Sequence, residues 1–159
     1  MFRVNKLTDY GIVLMAHVAR CQEHSVHSAS GLAEETHLPL PTVSKLLRQL
    51  SDHGLLVSHR GVKGGYTLPR DASQISIADI ILALEGPIGF TECGTEPGSC
   101  DMEPSCAIKV NSRLIGDVLR EALEKVMLSD LNQRLMTIGA THAPSTMVHS
   151  ISLGPEGAR

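Results

Sequence analysis

Residues 38–69, "LPLPTVSKLLRQLSDHGLLVSHRGVKGGYTLP", constrain the fold most. Val43, Leu46, Leu47 and Leu50 recur at helical spacing, so this helix has one apolar stripe to bury and one polar face to present. Pro41 suits the first turn of that helix and Gly54 its stop. Two short strands follow, predicted at 55–59 and 65–68, around the Gly-rich turn Gly61–Gly65. Upstream, "GLAEETH" reads as a shorter helix with Ser30 as its cap and Glu34 near the position that completes a capping box. A short helix, a tight turn, a longer amphipathic helix and a hairpin together make a winged helix-turn-helix.

The rest of the chain is mainly helical. Residues 8–21 repeat Ile12, Met15, Ala16 and Ala19 at helical spacing, with Thr8 as the expected N-cap and Asp9 in the positive first turn. Cys21 reads as buried packing. A helix over 76–85 would close the core with Ile77, Ile80, Ile81 and Leu84. A long amphipathic helix over about 107–128 carries Ile115, Val118, Leu119, Ala122, Leu123 and Val126. A helix of this kind after a complete small domain has little left to cover within its own chain, so pairing with its twin is expected. The fold class is therefore mainly α with a small β-wing. It divides into a DNA-binding domain at 1–86, a cysteine-rich loop at 87–106, a dimerisation helix at 107–131 and an expected disordered tail at 132–159.

Charge locates the partner. The net charge of −3 hides a split: residues 1–70 hold 8 basic and 5 acidic side chains, residues 71–159 hold 6 and 12. Between residues 39 and 70, Lys45, Arg48, Arg60, Lys63 and Arg70 face only Asp52. The candidate DNA-binding residues are Pro41, Thr42, Ser44, Lys45 and Arg48 on the second helix, which would read a major groove, with Arg60 and Lys63 on the wing. The expected partner is double-stranded operator DNA with inverted half-sites, read by a homodimer. No apolar run approaches the ~20 residues of a membrane span and no secretory leader is evident, so a cytoplasmic address is expected. No catalytic constellation or phosphate-cradling loop is evident, so an enzyme is not expected.

"TECGTEPGSCDMEPSC" is the remaining motif, with Cys93, Cys100 and Cys106 spaced C-x6-C-x5-C among Gly, Pro, Ser and acidic residues. Reduced thiols in such a segment point to metal or redox chemistry. Structural zinc favours tighter C-x2–4-C pairs, while wider flexible spacing suits a larger object such as an iron–sulfur cluster. Spacing alone leaves both open. A winged-helix repressor holding zinc or sensing redox state directly at its thiols is the nearest alternative, and a cluster carrier in assembly a more distant one.

"KLTDYGIVLMAHVAR", "LAEETHLPLPTVSKLLRQL", "GLLVSHRGVKGGYTL", "ISIADIILALEGPIGFTEC" and the cysteine loop resemble the Rrf2 family of bacterial winged-helix regulators, whose members include IscR and NsrR. The resemblance covers about residues 1–131, and "LPLPTVSKLL", "RGVKGGY" and "ALEGPI" look most like the SUF-system iron–sulfur assembly regulators. It implies a homodimeric transcription regulator whose cluster, [2Fe–2S] ahead of [4Fe–4S], is ligated by Cys93, Cys100 and Cys106. IscR-like members place a His three residues after the last Cys, where this chain has Lys109, a poor ligand while protonated. By resemblance to nitric-oxide-sensing relatives, Asp9 of the other subunit is the candidate fourth ligand.

Overall fold

A computed structural model describes residues 4–20, 25–62, 64–89, 91, 98, 100–102 and 105–137. Helices α1 (Lys6–Arg20), α2 (Ala29–Thr36) and α3 (Leu40–Asp52) precede the antiparallel strands β1 (Val57–His59) and β2 (Gly65–Thr67). A 3-10 turn (Ala72–Gln74) leads into α4 (Ile77–Glu85), α5 (Lys109–Glu124) and α6 (Leu128–Thr137). Among the described residues the two strands form the whole sheet, paired Val57 to Thr67 and His59 to Gly65. The fold is mainly α with a small β-wing, as the sequence pattern implied.

The core sits where α1, α3 and α4 converge. Leu14 and Met15 of α1, Leu32 of α2, all four stripe residues of α3, Leu55, Leu56 and Ile80 are buried within it. Burying a leucine side chain stabilises by roughly 1.5–3 kcal/mol as an upper estimate, so the α3 stripe alone fixes which face of that helix is left outside. Gly11 lets α1 and α4 approach closely, since a Cβ there would lie 2.2 Å from Leu84 Cδ1.

The helix ends follow local chemistry, in places shifted from expectation. Thr8 is a buried helical residue whose Oγ1 has no hydrogen bond among the described residues, and the capping role belongs to Asn5, whose Oδ1 accepts from the Leu7 N–H at 3.0 Å. Ser28, rather than Ser30, caps α2 by accepting from the Gly31 N–H at 3.0 Å, so Glu34 completes no capping box. Asp79 and Ser76 form a reciprocal capping box on α4. Pro41 is the second rather than the first residue of α3, still within the turn where its missing N–H costs nothing.

The predicted 107–128 helix ends earlier. Its chain leaves helix after Glu124 because Ile77 donates to the Val126 carbonyl at 2.9 Å and Leu128 donates to the Ile75 carbonyl at 2.8 Å. Asp130 then accepts the Met127 N–H at 2.9 Å and α6 begins, with Leu128 fully buried and the helix packed on α1 and the 3-10 turn. Residues 132–137, expected in the tail, are thus helical, and those from 138 lie outside the described residues, as does Cys21. No described helix is long and apolar enough to cross a membrane.

Candidate nucleic-acid interface and thiol site

With Val43, Leu46, Leu47 and Leu50 turned inward, α3 presents Pro41, Ser44, Lys45 and Arg48 to solvent, while Thr42 is half-buried. Positions 41, 45 and 48 are helical neighbours, so an apolar ring, an ammonium and a guanidinium lie in line along one face. The Arg48 side chain is 82% exposed, and its one ion pair among the described residues, with Asp52 at 3.9 Å, is a solvated i,i+4 contact. Such a pair is worth about 0–1 kcal/mol and yields readily to a phosphate or a base edge. Lys45 and Arg60 have no ion pair among the described residues.

The wing is held against the helix-turn-helix by main chain. His27, just before α2, donates to the Tyr66 carbonyl at 3.0 Å and accepts from the Tyr66 N–H at 2.8 Å. Gly65 makes that approach possible, because a Cβ there would lie 2.4 Å from the His27 carbonyl oxygen. The His27 ring pairs with Ser25 Oγ at 2.7 Å, and His17 of α1 pairs with Glu35 of α2 at 2.6 Å. Partial burial pushes the His27 imidazole below its ordinary pKa, opposed by Glu35 and reinforced by His17. At the tip, Gly61 has φ +114 and Gly64 would drive a Cβ into the His59 and Gly61 carbonyls, so the turn shape depends on both glycines. Arg60 is exposed there, and Lys63 lies outside the described residues.

Of the three predicted thiol ligands, Cys100 and Cys106 are described and Cys93 is not. Both described thiols are free and half-buried. Between them Ser105 turns back onto the Met102 carbonyl, and Cys106 stands three residues before the start of α5. Asp9 is exposed on the first turn of α1 with no ion pair among the described residues. Among the described residues no three His, Cys, Asp or Glu side chains are grouped to hold a metal ion.

A family described as "Rrf2: Iron-dependent Transcriptional regulator" matches residues 4–134. The chain belongs to the Rrf2 family. Solved structures agree. CymR of Staphylococcus aureus is 32% identical, with a TM-score of 0.61 over 81% of this chain and 97% of that one. CymR of B. subtilis, titled the global cysteine regulator, is 27% identical with a TM-score of 0.66 over 84% and 98%. IscR of T. potens is 25% identical with a TM-score of 0.67 over 89% and 94%. This Rrf2 protein is a DNA-binding winged-helix transcription regulator and not an enzyme.

The Rrf2 fold gathers Pro41, Ser44, Lys45 and Arg48 on the exposed side of α3, leaves Thr42 half-buried, and sets Arg60 on the adjoining wing. Sequence reasoning missed the His27–Gly65 seat, which has no local signal beyond an extra glycine. It also missed α6, although Asp130 three residues after Met127 carries half of a capping-box pattern.

Proposed function

We propose that this Rrf2 protein is an iron–sulfur cluster-dependent regulator that binds inverted-repeat operator DNA as a homodimer and controls iron–sulfur (SUF) assembly genes. The observation that carries this reading is the position of Cys106: it stands three residues ahead of α5, α5 packs on α4, and α4 packs on α3. The donor chemistry fits. Three thiolates on Gly- and Pro-rich chain suit an iron–sulfur group, the two described ones are tied up in no disulfide, and exposed Asp9 can offer a carboxylate across a dimer. Cys93, Cys100 and Cys106 would hold the cluster, with Asp9 of the second subunit as fourth ligand, and the group when bound supplies a centre sensitive to oxidants, nitric oxide and iron supply.

The protein's own residues supply the rest. On α5, Ser112 and Gly116 are buried and Leu119 and Leu123 half-buried toward the domain, whereas Leu114 (63%), Ile115 (42%) and Val118 (58%) stay exposed with Ala122. The stripe expected from sequence is therefore divided, one side covered by its own domain and one side left for a second copy. A dimer paired along that side can read successive major-groove half-sites where its two α3 helices stand about 34 Å apart. The α6 end of α5 is tied by the Ile77–Val126 and Leu128–Ile75 hydrogen bonds, so a change at the thiols acts on the opposite end. Thiol occupancy and operator must then alter each other's affinity by one common factor.

Anaerobic purification with iron and acid-labile sulfide counts tests the cluster. Absorption at ~320–460 nm with matched iron and sulfide supports it, and zinc without sulfide would replace it with the zinc or thiol-redox reading. The same preparation of Asp9→Ala should carry a less stable chromophore, and an unchanged one removes Asp9 from the ligand set. Arg48→Ala should weaken operator binding and lower the salt slope by about 1 if it contacts a phosphate. Unchanged binding would remove α3 from the interface.

A further inference from the structure

The wing tip carries an apolar side chain that packing does not explain. Val62 is 108% exposed, more open than in an extended peptide and far more than Val57 of β1 at 42%, while Tyr66 and Leu68 are packed against the core. It follows exposed Arg60 and Gly61, and the turn that presents it is fixed by the positive φ of Gly61 and the crowding at Gly64. A solvated valine at the end of a hairpin, beside a guanidinium with no ion pair among the described residues and on the basic half of the chain, has charge complementarity to one occupant, a DNA groove.

We propose that Val62 is a specificity-determining residue that enters the minor groove and selects A·T over G·C pairs beneath the wing. The inference rests on the DNA-facing reading of the wing. Minor-groove floors differ chiefly in the guanine N2 amino group, and an A·T floor lacks it. A valine pressed on that floor buries its methyl groups against adenine edges and sugar walls. Against a G·C floor it would instead strip water from an amino donor to which it offers no acceptor. A narrow A·T groove also concentrates negative potential, which favours Arg60 at the same place. Positive charge supplies attraction and the apolar tip supplies choice.

The test uses the full chain and a duplex it selects from a random double-stranded library, with the wing-covered pairs located by hydroxyl-radical footprinting. Anisotropy at one salt concentration then compares three duplexes. One is unmodified, one has inosine·cytosine at the covered A·T pairs, and one has 2,6-diaminopurine·thymine there. Inosine keeps the A·T minor-groove pattern while changing the major groove; diaminopurine adds the amino group to the minor groove alone. The wild type should bind the first two equally and the third about tenfold more weakly. Val62→Ser, at a site without intramolecular packing, should bind all three within about twofold of one another. Undiminished discrimination by Val62→Ser, or none by the wild type, overturns the proposal. Arg60→Ala separates the two failures. If it weakens binding to all duplexes equally while Val62→Ser still discriminates, the wing is on the DNA and Val62 does not read it. If neither variant alters affinity or footprint, the DNA-facing reading of the wing has failed, and the inference with it.

Discussion

Replacing Gly65 with alanine should unseat the wing without unfolding the core. The added Cβ would stand 2.4 Å from the His27 carbonyl oxygen, 2.7 Å from its carbon and 2.9 Å from Val26 Cγ1. Two of those atoms are main chain and cannot rotate away. Bringing the closest contact to the 3.0 Å that real Cβ atoms respect needs a displacement of about 0.6 Å. That displacement falls directly on the two hydrogen bonds, at 3.0 and 2.8 Å, that join His27 to Tyr66. Each is worth about 0.5–1.5 kcal/mol net, so local opening becomes easier by roughly 1–3 kcal/mol, or about 5- to 150-fold. Native-state hydrogen exchange should show that loss of protection at the Tyr66 and His27 amides. The amides of α3, whose buried stripe is untouched, serve as the internal reference. Operator affinity should fall with the protection, because the wing no longer keeps a fixed angle to α3. Unchanged protection at Tyr66 would refute the claim that this glycine makes the seat.

Val118→Glu places a carboxylate on the exposed side of α5 and should turn a dimer into a monomer in sedimentation while leaving helicity intact; a persisting dimer would move the interface elsewhere. His37 ends α2 in the left-handed region at φ 56, so His37→Gly should raise urea stability by about 0.5–1 kcal/mol, and a loss would contradict the strain assigned there. The wing seat should also respond to pH. His27 titrates below the ordinary histidine value of 6.5, so the contribution of its neutral ring is complete above that pH and is lost as pH falls below it. Tyr66 amide protection should therefore decline on acidification more steeply in the wild type than in His27→Gln, and parallel declines would exclude His27 as the cause.

The parts of the fold legible in the sequence are those where one short-range pattern decides the outcome. Val43, Leu46, Leu47 and Leu50 match a helical period closely, and all four are fully buried. Ile77, Ile80 and Ile81 behave the same way on α4. Gly54 and Gly86 mark helix ends with positive φ. Long-range contacts decided the rest. The α5 break at residues 125–127 answers to main-chain bonds from Ile75 and Ile77, some fifty residues away in sequence, so the local pattern read straight through it. The divided stripe of α5 was hidden for the same reason, since packing against the domain, α4 included, leaves Leu123 against the core and Val118 exposed. On α3 the exposed cations were readable as the complement of its apolar stripe. Thiol spacing, in contrast, names donor atoms without fixing where chain flanked by Gly and Pro brings them.

The most direct measurement of the central claim is the operator affinity of one anaerobic preparation before and after its iron is removed by a chelator, at constant salt and with dimer content checked. A change in dissociation constant of about 5-fold or more, reversed when iron and sulfide are restored, is the result expected if the cysteine segment preceding α5 is coupled to the face of α3. Identical affinities in the two states would contradict it, whatever colour the protein carries.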